Sequence, residues 1–156
     1  MGINEFQSRE KYTGRVKLLD VGCGVGRHLK IGHRFGFEVH GIELSQVAVN
    51  HALAFLESEI GVDLKAHIVC GDATKMPWDP EFFDAVVSDS VLDSMDYSIA
   101  EEVVGEVPRS LKSGGLFYLS LISFRDDAGI LRKGQMVVEG DHEAGTIQSY
   151  FDEKKK

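Results

Sequence analysis

The chain alternates short apolar segments with longer segments in which apolar residues recur every three to four positions. Short runs rich in Val, Ile and Leu are typical of strands buried on both faces of a parallel sheet, and the longer segments are typical of amphipathic helices. The alternation predicts an α/β fold, a three-layer sandwich with helices on both faces of a mostly parallel sheet. The five predicted strands are Val16–Val21, Glu38–Glu43, Ala66–Cys70, Phe83–Ser88 and Leu116–Ile122.

The clearest predicted helix lies in the segment SQVAVNHALAFLESEIG. Ser45 has the position and the side chain of an N-cap residue, because its hydroxyl can accept a hydrogen bond from a free N–H of the first turn. The helical period places seven residues on one predicted buried face. They are Val47, Ala48, His51, Ala52, Phe55, Leu56 and Ile60.

A second helix is predicted to begin near Ser98, which forms a capping-box pattern with Glu101. It should end at LKSGG, where Gly114 suits a left-handed cap, and Pro108 should kink it or restart it. Two further helices are predicted, one over Gly26–Phe35 and a short one before Gly14.

Length and composition fit one folded domain over residues 1–156, since 43% of the residues are hydrophobic. Because no apolar run reaches the ~18 residues of a membrane span and no signal peptide is evident, we expect a cytoplasmic protein without a membrane partner. The net charge of −8 disfavours a nucleic acid partner. Neither the two cysteines nor the six histidines show the spacing of a metal site, so none is expected.

Alternating glycines follow the first predicted strand in the segment Asp20-Val21-Gly22-Cys23-Gly24-Val25-Gly26-Arg27. Such glycines let the backbone turn tightly and come close to a ligand. A dinucleotide-binding loop has the spacing GxGxxG, which would require a third glycine where Arg27 stands. A nicotinamide or flavin oxidoreductase is therefore a weaker alternative.

Two acidic residues follow the next predicted strands. Glu43 ends the second strand, where a carboxylate can accept hydrogen bonds from both hydroxyls of a ribose. Asp72 follows the third strand beside the apolar segment Met76-Pro77-Trp78, so it could accept a hydrogen bond from an adenine amino group. The carboxyl ends of parallel strands meet at one edge of a sheet. The glycine loop and the two acids should therefore lie together there and form one site for a nucleoside.

Five segments resemble, in order, the motifs of class I S-adenosylmethionine-dependent methyltransferases, especially the small-molecule group. They are LLDVGCGVGR, GIELS, GDATKMPW, FDAVVSDSVLDSM and RSLKSGGLFYLS. The resemblance implies a Rossmann-like sheet and S-adenosylmethionine as cofactor, with the glycine loop at its methionine part. The cofactor-binding residues it implies are Asp20, Gly22, Cys23, Gly24, Gly26, Glu43, Leu44, Asp72, Ala73 and Ser88.

The family sheet has seven strands in the order 3-2-1-4-5-7-6, and the sequence after the fifth strand offers no counterpart of the 7-6 hairpin. We therefore expect the order 3-2-1-4-5 with an apolar fifth strand at the edge. Three explanations stay open: a truncated chain, a homodimer that covers this edge, or a hairpin formed by residues 134–151. We favour the first two.

In-line methyl transfer depends mainly on alignment, so the sequence does not require a dedicated catalytic residue. If the acceptor is a hydroxyl or an amine, a base would help, and Asp89, Asp93 and His142 are the candidates. Enzymes that methylate amino groups of nucleic acids have the motif Asp/Asn-Pro-Pro-aromatic at the end of the fourth strand. This chain has SDSV there, which favours a small-molecule methyl acceptor. A non-catalytic cofactor-binding or interaction module is the alternative, because the C-terminal strands are missing.

Overall fold

A computed structural model describes residues 15–123, 134–137 and 147–151. The chain alternates strands and helices over these ranges, with two short 3₁₀ segments at Ala73–Lys75 and Leu92–Ser94. The elements are β1 (Lys17–Val21), α1 (Arg27–Arg34), β2 (Glu38–Glu43), α2 (Gln46–Ile60), β3 (Ile68–Cys70), β4 (Phe83–Asp89), α3 (Tyr97–Ser110), β5 (Leu111–Ser120), β6 (Gly134–Val137) and β7 (Ile147–Tyr150).

The first five strands form one parallel sheet in the order β3-β2-β1-β4-β5. This confirms the predicted α/β fold and its strand order. The register aligns the carboxyl ends of the strands, because Glu43 lies beside Cys70 and Asp89 lies beside Ser120. The loops that leave these ends therefore meet at one edge of the sheet, the usual ligand-binding position in open α/β sheets.

Side chains that alternate along the strands fill two apolar cores, one on each face of the sheet. On β1, Leu19 packs into the core that includes α3, whereas Leu18 packs against the core of the opposite face. The first core contains Val21, Ile42, Phe83, Val86, Ala100, Val103 and Val107. The second contains Leu29, Val39, Val49, Ala52, Leu56 and Ile68.

The predicted α2 helix forms with the predicted cap, but the first part of its buried face differs from the prediction. Ser45 Oγ accepts a hydrogen bond from the Ala48 N–H at 3.3 Å, which confirms the N-cap. The buried positions are Val49, Ala52 and Leu56. The predicted face is therefore confirmed at Ala52 and Leu56 and wrong at Val47 and His51, which are exposed. Three of the first four residues of α2 are apolar, so the pattern of apolar and polar positions there does not determine which side of the helix is buried. The helix expected before Gly14 lies outside the described residues.

The boundary between α3 and β5 also differs from the prediction. The helix begins at Tyr97 with Asp96 at the N-cap, so the capping box at Ser98 is wrong by two positions. It continues past Pro108 to Ser110, and β5 begins at the next residue. Gly114 does have a left-handed φ of +77°, but within the long β5 strand, where the register against β4 is interrupted. No helix in the described ranges is long and apolar enough to cross a membrane.

Strands β6 and β7 form a separate antiparallel hairpin, with Gly134 opposite Tyr150. It touches the end of the β5 segment through one bridge, in which the Phe151 N–H donates to the Ile122 carbonyl at 3.1 Å. Of the three explanations for the C-terminal segment, the hairpin is the one that the described residues contain. Leu116 and Tyr118 of β5 remain exposed, and the homodimer over this edge stays a prediction.

Asp84 joins three strands, and its removal should destabilise the fold. It is fully buried, and it accepts hydrogen bonds from the Lys17 main-chain N–H at 2.8 Å and from Lys112 Nζ at 2.7 Å. We expect Asp84→Ala to lower the free energy of unfolding in urea by about 2 to 3 kcal/mol, because a buried N–H loses its acceptor. Asp63→Ala is the control, since its contact with Lys65 is exposed. An equal loss in both variants would contradict the prediction.

Candidate functional site

The turn after β1 is built from three glycines in the left-handed region. Their φ angles are +71° at Gly22, +49° at Gly24 and +83° at Gly26. The Gly22 N–H donates to the Ile42 carbonyl at 2.8 Å, so the loop folds over the end of β2. A Cβ on Gly22 would lie 2.5 Å from a Val91 methyl carbon, whereas a Cβ on Gly24 would meet nothing within 4 Å. Packing therefore requires Gly22, and the open side of Gly24 lets a ligand approach the backbone.

Cys23 turns its side chain away from this open side. Its Sγ lies 2.8 Å from the position that a Cβ on Gly41 would occupy, and the residue is buried in the core. Burial, with a smaller effect from Asp20, raises the pKa of the thiol to about 12. The side chain is therefore an inert core group. A cofactor contact at Cys23 stays a prediction, and only its main chain lies in the loop.

Glu43, at the end of β2, binds the glycine loop with one carboxylate oxygen and the N-cap residue of α2 with the other. Its Oε2 accepts a hydrogen bond from the Gly24 N–H at 3.1 Å, and its Oε1 accepts one from the Ser45 N–H at 2.9 Å. A carboxylate offers about four acceptor positions, so both oxygens can still accept a ligand hydroxyl. The acid thus holds the loop and remains available to a ribose.

Asp72 lies at the neighbouring strand end, as the sequence predicts. The chain reaches it directly after Gly71, whose N–H donates to the Glu43 carbonyl at 2.9 Å. Its Oδ1 accepts a hydrogen bond from the Thr74 N–H at 2.9 Å, which lowers the pKa of this exposed carboxyl. Ala73 packs against the first core, and Leu44 is exposed. An ionised acid and an apolar side chain thus flank the end of β2.

Asp20 is a buried carboxyl at the centre of this edge. Only 1% of the residue is exposed, and its Oδ2 has no hydrogen-bond partner. Burial, reinforced by the negative charges of Asp89 and Glu43, raises its pKa from 3.8 to about 7. Among the described ion pairs, the partner of Asp20 is His28, at 3.7 Å, and no lysine or arginine pairs with this carboxyl. The site is therefore strongly electronegative and suits a cation.

The end of β4 adds three more polar side chains. Ser88 Oγ and Asp93 Oδ1 are buried without a hydrogen-bond partner, and burial raises the pKa of Asp93. Asp93 also has a structural role, because its Oδ2 accepts a hydrogen bond from the Ile122 N–H at 3.0 Å. Asp89 accepts a hydrogen bond from the Ser120 hydroxyl and is partly exposed. The candidate base His142 lies outside the described residues.

His28 belongs to this site, although the sequence did not single it out. Its Nδ1 lies 3.7 Å from Asp20 Oδ2, and its Nε2 lies 3.5 Å from Asp89 Oδ2. The side chain is 40% exposed, so a ligand can reach its ring. A usable sequence signal existed, because His28 stands two residues after Gly26 in the first turn of a helix that starts at the strand ends.

The comparisons with known proteins agree with this architecture. The family described as a methyltransferase domain matches residues 19–119. The chain is 37% identical over 102 residues to 24-methylenesterol C-methyltransferase 2 of Oryza sativa subsp. japonica, and 37% identical over 103 residues to sterol 24-C-methyltransferase ERG6B of Gibberella zeae. These alignments cover 65% of the chain but only 27% and 26% of the relatives. The chain thus spans about a quarter of the length of these curated relatives.

A solved structure shares the fold. The crystal structure of a SAM-dependent methyltransferase from Methanosarcina mazei superposes with a TM-score of 0.71 at 23% identity, over 92% of this chain and 76% of that one. S-adenosylmethionine carries a sulfonium, an ammonium group and ribose hydroxyls, which fit the unpartnered oxygen of Asp20 and the carboxylate of Glu43. The chain therefore belongs to the class I S-adenosylmethionine-dependent methyltransferases, with S-adenosylmethionine as the cofactor.

Proposed function

We propose that this domain catalyses the transfer of a methyl group to a small-molecule acceptor by in-line displacement. The observation that carries the proposal is the buried carboxyl of Asp20, whose Oδ2 has no hydrogen-bond partner, beside an open glycine loop. S-adenosylmethionine supplies a methyl group on an already activated carbon. The contribution of the protein is to hold donor and acceptor in line, which can be worth roughly 7 to 11 kcal/mol.

The proposed roles of the residues follow from their positions. Asp20 offsets the positive charge of the cofactor, and the missing side chain of Gly24 allows the cofactor to contact the backbone of the loop. Glu43 accepts hydrogen bonds from the ribose hydroxyls, while Asp72 and Leu44 flank the adenine. Further cofactor contacts are proposed at Gly22, Cys23, Gly26, Ala73 and Ser88.

We assign proton transfer to His28 and Asp89. An acceptor that is methylated at an atom carrying hydrogen must lose that proton, and the unprotonated ring nitrogen of neutral His28 can take it. Asp89 Oδ2, at 3.5 Å from Nε2, stabilises the resulting imidazolium. The sterol C-methyltransferases among the relatives favour an apolar acceptor of this small-molecule class.

The function is tested by incubating the protein with S-adenosylmethionine carrying a labelled methyl group and with separate panels of sterols, thiols, amines and phenols. We expect transfer to one class of acceptor and saturable cofactor binding by titration calorimetry. Binding without transfer to any panel would favour the non-catalytic module instead. Absence of cofactor binding would reject both.

His28→Gln should slow transfer without preventing cofactor binding. General-base catalysis contributes about 10²- to 10⁴-fold, so we expect kcat to fall at least a hundredfold while the Kd of the cofactor changes less than threefold. His51→Gln, which removes an exposed imidazole of α2, is the matched control. An unchanged kcat would remove His28 from the mechanism, and a parallel loss of cofactor binding would assign it to the cofactor site.

A further inference from the structure

A second cluster of polar side chains lies at the other end of β2. Glu38 and His40 stand at the beginning of this strand, and His67 precedes β3. One potential ligand atom from each of the three lies within 4.8 Å of the other two. Glu43 is five residues from Glu38, or about 16 Å along an extended strand, so this cluster is separate from the cofactor site.

The hydrogen bonding of His67 prepares its second ring nitrogen for a ligand. Nδ1 lies 3.1 Å from the Val39 carbonyl oxygen, so Nδ1 carries the proton and donates it. The lone pair of Nε2 is then available. Metal-binding histidines usually donate their other N–H to a carbonyl or carboxylate in this way, because the bond fixes both tautomer and ring orientation.

His40 is held at the inner side of the cluster. It is 6% exposed, and its ring makes edge contacts with Trp78, Phe82 and Phe83 at centroid distances of 6.1, 5.4 and 5.4 Å. Its Nε2 lies 3.0 Å from Glu38 Oε1, whereas Nδ1 has no hydrogen-bond partner. The packing of these aromatic rings holds the His40 imidazole beside Glu38.

Glu38 supplies the negative charge and the opening to solvent. Its side chain is 33% exposed, so an ion can enter from this side. Lys17 Nζ lies 3.8 Å from Glu38 Oε1 and 3.7 Å from the centre of the Phe82 ring, and its charge competes with a cation.

We propose that Glu38, His40 and His67 form a binding site for a divalent transition metal, with Zn²⁺ as the best match. Two imidazoles and one carboxylate are a donor set that Zn²⁺ accepts, and water can complete the coordination from the exposed side. The two imidazole rings stack with their centroids 4.5 Å apart and their planes at 24°, so Zn²⁺ binding requires the half-buried His67 ring to turn about its hydrogen-bonded Nδ1 until Nε2 faces the ion. The bound ion fastens β2 to the segment that leads into β3, independently of methyl transfer.

The test uses the full chain, freed of metal with a chelator and then titrated with Zn²⁺ alone. We expect one ion per chain and a Tm increase of roughly 5 °C at a free Zn²⁺ concentration about 100-fold above Kd. Glu38→Gln and His67→Gln should each weaken Zn²⁺ binding at least tenfold, and Lys17→Met should strengthen it. His51→Gln and Cys70→Ser, which change exposed potential ligands, are the controls and should bind Zn²⁺ like the wild type.

Imidazole nitrogen NMR of the wild-type protein provides a readout that does not depend on the folding of any variant. We expect Zn²⁺ to shift Nε2 of His67 while Nδ1 keeps its proton. Binding weaker than about 0.1 mM would overturn the site, as would equal affinities in His67→Gln and His51→Gln. So would a spectrum in which the His67 ring does not respond to Zn²⁺.

Discussion

Asp20→Asn is expected to weaken S-adenosylmethionine binding at least a hundredfold and, at the same time, to stabilise the ligand-free protein. Removing one partner of a buried charge pair costs about 3 to 5 kcal/mol, which is more than a factor of 100 in affinity. Without the ligand, the carboxyl is buried with an unpartnered oxygen next to the negative charges of Asp89 and Glu43. The asparagine amide has a similar shape but no charge to desolvate.

The stability gain has a defined pH dependence. Because the pKa of Asp20 rises from 3.8 to about 7 on folding, the folded state holds this proton more tightly. Stability therefore falls as the pH rises from about 4 to about 7. At 1.36 kcal/mol per pKa unit the effect is at most roughly 4 kcal/mol. We expect urea unfolding to show a gain of about 2 kcal/mol for Asp20→Asn at pH 8 and little difference at pH 4, because the buried amide has N–H groups of its own to satisfy.

Cofactor binding should change with pH in the opposite direction. A cationic ligand prefers the ionised carboxylate, so wild-type affinity should rise about tenfold between pH 6 and pH 8, with proton release on binding. Asp20→Asn should show a flatter profile, and Asp63→Asn at an exposed site should behave like the wild type. Calorimetry in buffers of different ionisation enthalpy measures both quantities. Affinity within threefold of the wild type in Asp20→Asn would contradict the assignment.

Glu43→Gln is expected to cause a similar loss of cofactor affinity, at least a hundredfold, but to destabilise the protein. Both oxygens of Glu43 accept main-chain N–H groups, from Gly24 and from Ser45. A glutamine amide places its NH₂ group against one of these two N–H donors, so one of the two anchoring hydrogen bonds and one proposed acceptor for the ribose hydroxyls are lost together. Hydrogen bonds to a charged group contribute about 1.5 to 3 kcal/mol each.

Calorimetric titration and thermal unfolding on the same samples measure both effects of Glu43→Gln. We expect the Tm to fall by several degrees, while Glu57→Gln, an exposed position on α2, leaves both values unchanged. The stability changes of the two variants have opposite signs. Without ligand, the carboxylate of Asp20 is desolvated and its Oδ2 has no hydrogen-bond partner, whereas both oxygens of Glu43 accept hydrogen bonds. A Glu43→Gln variant that keeps its Tm and its affinity would remove Glu43 from the site.

The parts of the site that depend on local sequence were predictable. The glycine loop needs φ angles that glycine provides, and Glu43 and Asp72 follow their strands directly along the chain. Ser45 caps α2 through a bond to the residue three positions later. In each case the interacting residues are a few positions apart in the chain, so the local pattern of residue types is enough to predict how they are arranged.

Partners that are far apart in the chain were not predictable. The buried face of α2 depends on which side of the sheet it packs against, and the α3–β5 boundary depends on where β5 pairs with β4. His28 contacts Asp89 only because a helix start and a strand end meet at one edge. The same holds for His40 and His67, since the pairing of β2 with β3 decides which residues lie side by side.

The sequence by itself determined the order of the elements, the α/β class, the position of the glycine loop and the acids that follow β2 and β3, because short-range sterics and hydrophobic period specify these features. Only the tertiary structure decided the electrostatics. The pKa of Asp20 rises because packing removes it from water and brings Asp89 and Glu43 close. Desolvation and charge proximity depend on contacts across the whole sheet, and no local pattern of residues contains them.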